Sequence, residues 1–222
     1  MFDKLLAIIA PHYCYRCGKI GSILCDNCKK YITSRQYTSC VLCGRIVKKA
    51  NLCGTHHQSY DTLWCFGLRQ GVIKKVIDDY KFHRVRAAAA VLADLLDSRL
   101  PTLPDDVAIV PIPTTSKNMR RRGYDHMLLI AKYLAKRRNL PLSPLLRRRN
   151  NVTQHFTKSS KERKRQARYF FEPASMIDPD KTYLIIDDIF TTGATISAAT
   201  DCLKKAGAKR VEVAVIARHG TP

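Results

Sequence analysis

Tyr183-Leu184-Ile185-Ile186-Asp187-Asp188-Ile189-Phe190-Thr191-Thr192-Gly193-Ala194-Thr195 is the stretch of this 222-residue chain that decides its fold. Four apolar residues read as a buried strand, two adjacent carboxylates stand at its end, and a small polar loop opens into a helix. Downstream, Thr195 to Ala206 has helical spacing and stops at Gly207, and Val211 to Ala217 is a second apolar strand. Upstream, Val107 to Val110 is a short strand closed by Pro111-Ile112-Pro113. His126 to Arg138 carries Leu129, Ile130, Tyr133 and Leu134 at helical spacing, with a basic last turn that suits a helix C-terminus. Helical patterns also fill Gly71 to Leu96, until Pro101 to Pro104 breaks them. Strands alternating with helices predict an α/β fold with a parallel sheet covered on both faces. Ligands of such sheets sit at the carboxyl ends of the strands.

The quoted stretch lies at one such end. Backbone N–H groups at a helix start, flanked by hydroxyls and a glycine that permits close approach, make a phosphate cradle. Two neighbouring carboxylates would repel a bare phosphate, but they suit sugar hydroxyls or hydrated Mg²⁺. A ribose 5-phosphate satisfies both halves. Helix capping alone would need only one such residue.

The front of the chain has a different character. Eight of the nine cysteines precede residue 66, and seven of those eight make the pattern Cys14-x2-Cys17-x7-Cys25-x2-Cys28-x11-Cys40-x2-Cys43-x9-Cys53-x2-His56. Cys14-Tyr-Arg-Cys-Gly-Lys-Ile20 is echoed by Cys40-Val-Leu-Cys-Gly-Arg-Ile46, so one structural unit is used twice. A two-residue gap lets both sulfurs of a knuckle face one ion. Gly18 and Gly44 stand where the knuckle needs a positive φ. The repeat groups Cys14, Cys17, Cys25 and Cys28 on one structural zinc. Cys40, Cys43, Cys53 and His56 form a second group, with His57 as a competing ligand. A segment this short buries little core, so metal would supply its folding free energy. Cys65 and Cys202 lack partners and read as core residues. Residues 1–65 are therefore expected to form a double zinc ribbon and residues 66–222 the α/β domain.

Composition narrows the class. With 45% hydrophobic and 26% charged residues the chain is ordinary globular protein, not fibrous or disordered. The apolar stretch after Met1-Phe2-Asp3-Lys4 is too short and too acidic-flanked for a signal peptide, and no run approaches the roughly 20 residues of a membrane helix. A cytoplasmic protein with no membrane partner is expected. The charge is the outlier: 39 Lys and Arg against 18 Asp and Glu give +21. Between Lys117 and Arg168, 17 basic residues face only Asp125 and Glu162, a net of +15. One phosphorylated ligand does not need so much charge. Arg120, Arg121, Arg147, Arg148, Arg149, Lys161, Arg163, Lys164 and Arg165, interleaved with Tyr124, Tyr133, Phe156, Tyr169, Phe170 and Phe171, read as a footprint for single-stranded DNA.

Residues 186–195 resemble the phosphoribosyl pyrophosphate (PRPP) motif of type I phosphoribosyltransferases, and the whole chain resembles the ComF family. That family joins a double zinc ribbon to a phosphoribosyltransferase domain. The resemblance runs through the knuckles, Tyr80-Lys81-Phe82, Val110-Pro-Ile-Pro113, Arg121-Arg122-Gly123-Tyr124, Thr153-Gln154-His155-Phe156 and the terminal motif. It implies that Asp187 and Asp188 are the catalytic pair, contacting the ribose hydroxyls directly or through Mg²⁺. It places Thr191, Thr192, Gly193, Ala194 and Thr195 on the 5-phosphate, with Lys81 and Arg122 as further phosphate cations. Pro111 to Thr115 would be the pyrophosphate loop, and Arg147 to Arg168 the loop that closes over PRPP. Kinship also implies a role in natural transformation, with single-stranded DNA and a protein of the competence machinery as partners. The chain departs from the family where Arg-Gly-Phe-Asn-Gln is common, having Arg122-Gly-Tyr-Asp125-His126, and it has Gln166 where Asn is common. Two functions fit these residues. One is a DNA-handling protein with a PRPP site; the other is a Mg²⁺-dependent phosphoribosyltransferase whose acceptor has no recognisable general base or nucleobase pocket in the sequence.

Overall fold

A computed structural model describes residues 11–35, 37–149 and 170–220. The predicted parallel sheet is present. Its four strands are β1 (Thr62–Leu68), β2 (Val107–Pro111), β5 (Thr182–Phe190) and β6 (Arg210–Arg218), in the order β1-β6-β5-β2, all parallel. β3 (Leu146–Arg148) and β4 (Phe171–Pro173) form a separate antiparallel pair. The helices are α1 (Asp26–Thr33), α2 (Gly71–Phe82), α3 (Ala88–Asp97), α4 (Ser116–Arg122), α5 (His126–Arg138) and α6 (Ala194–Lys205). No helix among the described residues is long and apolar enough to cross a membrane.

The pleat of β5 explains the two-sided core. Leu184 and Ile186 point to one face with Ala214 and Ile216, where α2, α3 and α5 bury Val76, Ile77, Leu92, Leu96, Ile130 and Leu134. Tyr183 and Ile185 point to the other with Val211, Val213 and Val215, covered by Ile196, Ala199 and Leu203 of α6 and by Leu146 and Phe171 of the small hairpin. Strands buried on both faces need the continuous apolar runs seen in the sequence. Cys65 and Cys202 are buried in the core, as expected of unpartnered thiols.

The cysteine-rich front end shares these cores. Cys14, Ile23, Leu24 and Cys28 join the face carrying α2 and α3, whereas Val41 and Tyr60 join the α6 face. Each half of the repeat thus packs into the core on a different side of the sheet. The seam is polar as well. Lys29 pairs with Asp94 at 2.5 Å, the Arg218 guanidinium donates to the Val41 carbonyl, and buried Asn51 accepts from the Cys65 amide. β1 begins at Thr62, so the change of character placed after residue 65 falls inside a sheet strand.

Helix ends are fixed by local chemistry. Asp125 caps α5 by accepting from the Met127 and Leu128 amides, and Asn139 ends it in the left-handed conformation. Thr115 accepts from the Asn118 amide at the start of α4. These two caps bracket α4, and Asp125 also accepts from the Thr114 amide of the loop that follows β2.

Candidate functional site

Asp187 and Asp188 lie near the carboxyl end of β5, paired in register with β6 through Asp187 and Val215. The loop after β5 enters α6 at Gly193, whose φ is +75°. A Cβ there would stand 2.8 Å from a ring carbon of buried Phe190, so glycine is required twice over, by backbone and by space. Gly193 has no side chain to cap α6; Thr191 and Thr192 are exposed beside its first amides, and the Ala194 amide donates to Thr192 Oγ1 at 3.4 Å. A helix start held only by one long bond to an exposed threonine hydroxyl keeps most of its partial positive charge for an anion.

A cleft of about 290 Å³ opens in front of these residues. Asp187, Asp188, Thr191 and Thr195 form one wall. Ile112, Pro113, Thr114 and Thr115 from the loop after β2 form another, and Lys81, Arg122, Arg148 and Arg69 bring four cations. Of the predicted site residues, the structure therefore gathers Asp187, Asp188, Thr191, Thr195, Lys81 and Arg122 around one space; Thr192, Gly193 and Ala194 complete the bend between them.

Asp188 is the hub. Its Oδ2 receives the Lys81 ammonium at 2.7 Å and His126 Nε2 at 2.7 Å. On the far side of the imidazole, Arg122 Nη1 stands 2.9 Å and Thr114 Oγ1 2.6 Å from Nδ1. A guanidinium only donates, so Nδ1 accepts and the ring proton sits on Nε2, aimed at Asp188. Arg122 also donates from Nε to the Lys81 carbonyl at 3.0 Å. Thr114 is held in turn by Asp125, through its amide and its hydroxyl at 3.0 Å each. Residues 122–126, where the chain departs from the ComF pattern it resembles, thus form the scaffold behind Asp188.

The two carboxylates differ. Burial, and after it the neighbouring Asp188 charge, push the Asp187 carboxyl up to about 7. Burial also acts against the charge of Asp188, but the His126 hydrogen bond and the Lys81 ammonium overcome it and hold that carboxyl below its usual range. Asp187 makes no ion pair among the described residues; its Oδ1 accepts from the Asp188 amide at 2.9 Å. An oxygen-donor pair with one under-compensated member fits a hard divalent cation such as Mg²⁺.

The remaining basic residues separate. Strand alternation in β3 turns Arg148 into the cleft wall, donating to the Pro113 carbonyl at 2.7 Å and lying over the Phe171 ring. Arg147 and Arg149 stay exposed, the latter paired with Glu172 at 3.2 Å. Arg148 thus stands apart from Arg147 and Arg149, with which the sequence grouped it as a DNA contact. Arg120 and Arg121 are exposed on α4. Lys161, Arg163, Lys164 and Arg165, and with them most of the expected closing loop and Gln166, lie outside the described residues. Sequence reasoning placed Thr114 in the expected pyrophosphate loop but missed its link to His126, and it missed His126, Arg69 and the inward turn of Arg148. Only His126 left a signal, as a departure from the family pattern.

Away from the cleft, two four-residue groups bring their ligand atoms within 4.8 Å of one another: Cys14, Cys17, Cys25 and Cys28, and Cys40, Cys43, Cys53 and His56. His56, not His57, completes the second group, with Nδ1 3.0 Å from the Cys53 sulfur. Gly18 and Gly44 both have φ of +75°, and Gly18 and Gly44 amides donate to the Cys14 and Cys40 carbonyls. One thiol in each group is primed as a thiolate. Hydrogen bonds from Thr55 and His56 bring Cys53 down to about 5; at Cys14, burial opposes the charge but backbone donors from Cys25, Cys17 and Arg16 bring it to about 6. Four soft donors enclosing one point fit a tetrahedral metal ion with no open position.

Fold and cleft together define a phosphoribosyltransferase-type domain, and residues 128–222 match the phosphoribosyl transferase domain family. Three relatives extend the likeness over most of the chain. Competence protein F of Haemophilus influenzae is 27% identical over 208 residues, covering 88% of this chain and 90% of that protein. Competence protein ComFC of Bacillus subtilis is 24% identical, covering 90% and 74%. DNA utilization protein YhgH of Escherichia coli K12 is 26% identical, covering 95% and 99%. Over most of its length the chain is thus similar to these competence and DNA-utilization proteins, in keeping with its resemblance to the ComF family. Among solved structures, a glutamine PRPP amidotransferase of B. subtilis aligns with 59% of this chain and 26% of its own at 20% identity and a TM-score of 0.42, too loose a likeness to bear on the site.

Proposed function

We propose that this protein binds PRPP in the cleft at the end of β5 and handles single-stranded DNA during natural transformation. The observation that carries the first half is the convergence of an Asp pair, a helix start bent at Gly193 and four cations on one space. The 5-phosphate takes the bend from Thr191 to Thr195, where amides and hydroxyls can donate, and displaces the long bond from the Ala194 amide to Thr192. The ribose diol takes Asp187 and Asp188. The pyrophosphate takes the loop from Pro111 to Thr115, with Lys81, Arg122 and Arg148 as counter-charges. Lys81 is tied to Asp188 and turns to the pyrophosphate as the ligand arrives, while His126 keeps Asp188 oriented. Mg²⁺ bound by this acidic pair would neutralise pyrophosphate charge and aid its departure from C1. The front-end groups would each hold a structural zinc. The second half is supported by the +21 charge and by relatives whose names speak of competence and DNA utilization. A cytoplasmic site of action fits both halves.

The direct test is calorimetric titration of PRPP with Mg²⁺ into metal-loaded protein. Saturable binding that is lost in the Asp187→Asn, Asp188→Asn double variant supports the reading, and no heat from the wild type refutes it. Adding cell extract and measuring pyrophosphate release separates catalysis from binding alone.

A further inference from the structure

Beside the cleft, the turn after α2 and the exposed side of α4 build a second surface. Phe82 ends α2 and is 53% exposed. The Arg121 guanidinium lies 5.3 Å from its ring centroid, and Arg86 lies 5.1 Å from the ring of Tyr124. Arg84 takes a left-handed backbone, φ +57°, and clamps the turn to α4 by donating from Nη2 to the Arg121 carbonyl at 2.6 Å. Arg84, Arg86, Arg120 and Arg121 are all exposed, and none is ion-paired among the described residues. Elsewhere the basic residues Lys29, Arg69, Arg137 and Arg138 each have a carboxylate partner. An exposed aromatic ring set in unneutralised arginines offers both things a flexible nucleic acid strand presents to a protein, a π-face and a phosphate. A folded acidic protein would match the charge but would leave the ring uncovered.

We propose that Phe82 is a base-stacking platform for single-stranded DNA, with Arg84, Arg86, Arg120 and Arg121 holding the flanking phosphates. The proposal rests on the DNA-handling half of the function proposed above and gives it a location. Adjacent residues Lys81 and Arg122 line the cleft, so a strand seated here passes the mouth of the PRPP site.

The test uses the full metal-loaded chain and a fluorescent 20-mer of thymidine, with heparin as a polyanion that has no bases. Phe82→Ala should weaken DNA binding about tenfold, in the range found for loss of one stacked base, and leave heparin binding unchanged. Phe82→Trp should keep affinity and show tryptophan quenching by the oligonucleotide, beyond any change from Trp64 in the wild type. Arg120→Ala with Arg121→Ala should weaken both ligands more than Lys181→Ala with Lys205→Ala, a pair of equal charge at the other end of the sheet. Wild-type protein that binds the 20-mer while Phe82→Ala binds it equally well would overturn the platform and leave the broader DNA role standing. Wild-type protein that does not bind the 20-mer would overturn both.

Discussion

At Gly193 backbone and space make the same demand. Its left-handed φ costs any other residue on the order of 1 kcal/mol, and the Phe190 ring occupies the place of a Cβ. Gly193→Ala should therefore open the bend and cut PRPP affinity at least tenfold. Circular dichroism should remain unchanged, because the helix behind the bend is packed through Ile196, Ala199 and Leu203. Asp187 supports a second prediction at this scale. Its carboxyl keeps its proton up to about 7 in the folded protein but only to near 4 when unfolded. Between those values the folded state binds more protons, so its stability falls as pH rises through that window. Asp187→Asn removes the titration. Melting curves should show the variant more stable than wild type at pH 8 and the gap closing towards pH 4; a gap independent of pH would contradict the assignment. His126 carries a third. His126→Ala leaves Arg122 and Thr114 facing a void and removes one donor from Asp188, so PRPP affinity should drop severalfold. His126→Gln, which can still donate to Asp188, should recover much of it.

Among the elements, the metal knuckles show what the sequence reveals and what it conceals. Their ligands were legible because metal coordination fixes spacing, and two copies of one spacing argue for each other. The choice between His56 and His57 was not, since it turns on which ring reaches Cys53. β5 and β6 were legible as apolar runs. β1 was missed: Thr62-Leu-Trp-Cys-Phe-Gly-Leu68 follows directly on the cysteine repeat and has no turn signal to set it apart. Within the site, the phosphate bend was readable as a local motif. His126 and Arg148 were not, because each meets the cleft only through contacts tens of residues distant, His126 with Asp188 and Arg148 with Pro113. Because the knuckles share the cores of the sheet, their metals should stabilise more than the front end. Cys28→Ser or Cys53→Ser should each remove one metal of two by mass spectrometry, and each should lower the melting temperature of the whole chain in a single transition. An independent early transition, with the α/β part melting unchanged, would show instead that the front end folds apart.

For the molecule as a whole, charge and shape divide the labour. Cations in the cleft are held by named partners, whereas Arg120 and Arg121 on α4 and Arg84 and Arg86 after α2 are exposed. If DNA is gripped chiefly through phosphate, log affinity should fall linearly with log salt, with a slope near −0.7 per phosphate engaged. A flat response would place the binding energy elsewhere. PRPP binding, confined to the cleft, should vary much less over the same range. The parallel sheet links these tasks: carboxyl ends of its strands open on the cleft, its two faces anchor the paired knuckles, and its flank carries the basic surface. All of this presumes that the acidic pair and the bend behind it hold a phosphorylated sugar. Isothermal titration of Mg²⁺ and PRPP against the wild type and the Asp187→Asn, Asp188→Asn variant tests that most directly. One site per chain, abolished in the variant while its circular dichroism is preserved, is the predicted result; heat that is absent from both, or equal in both, would contradict it.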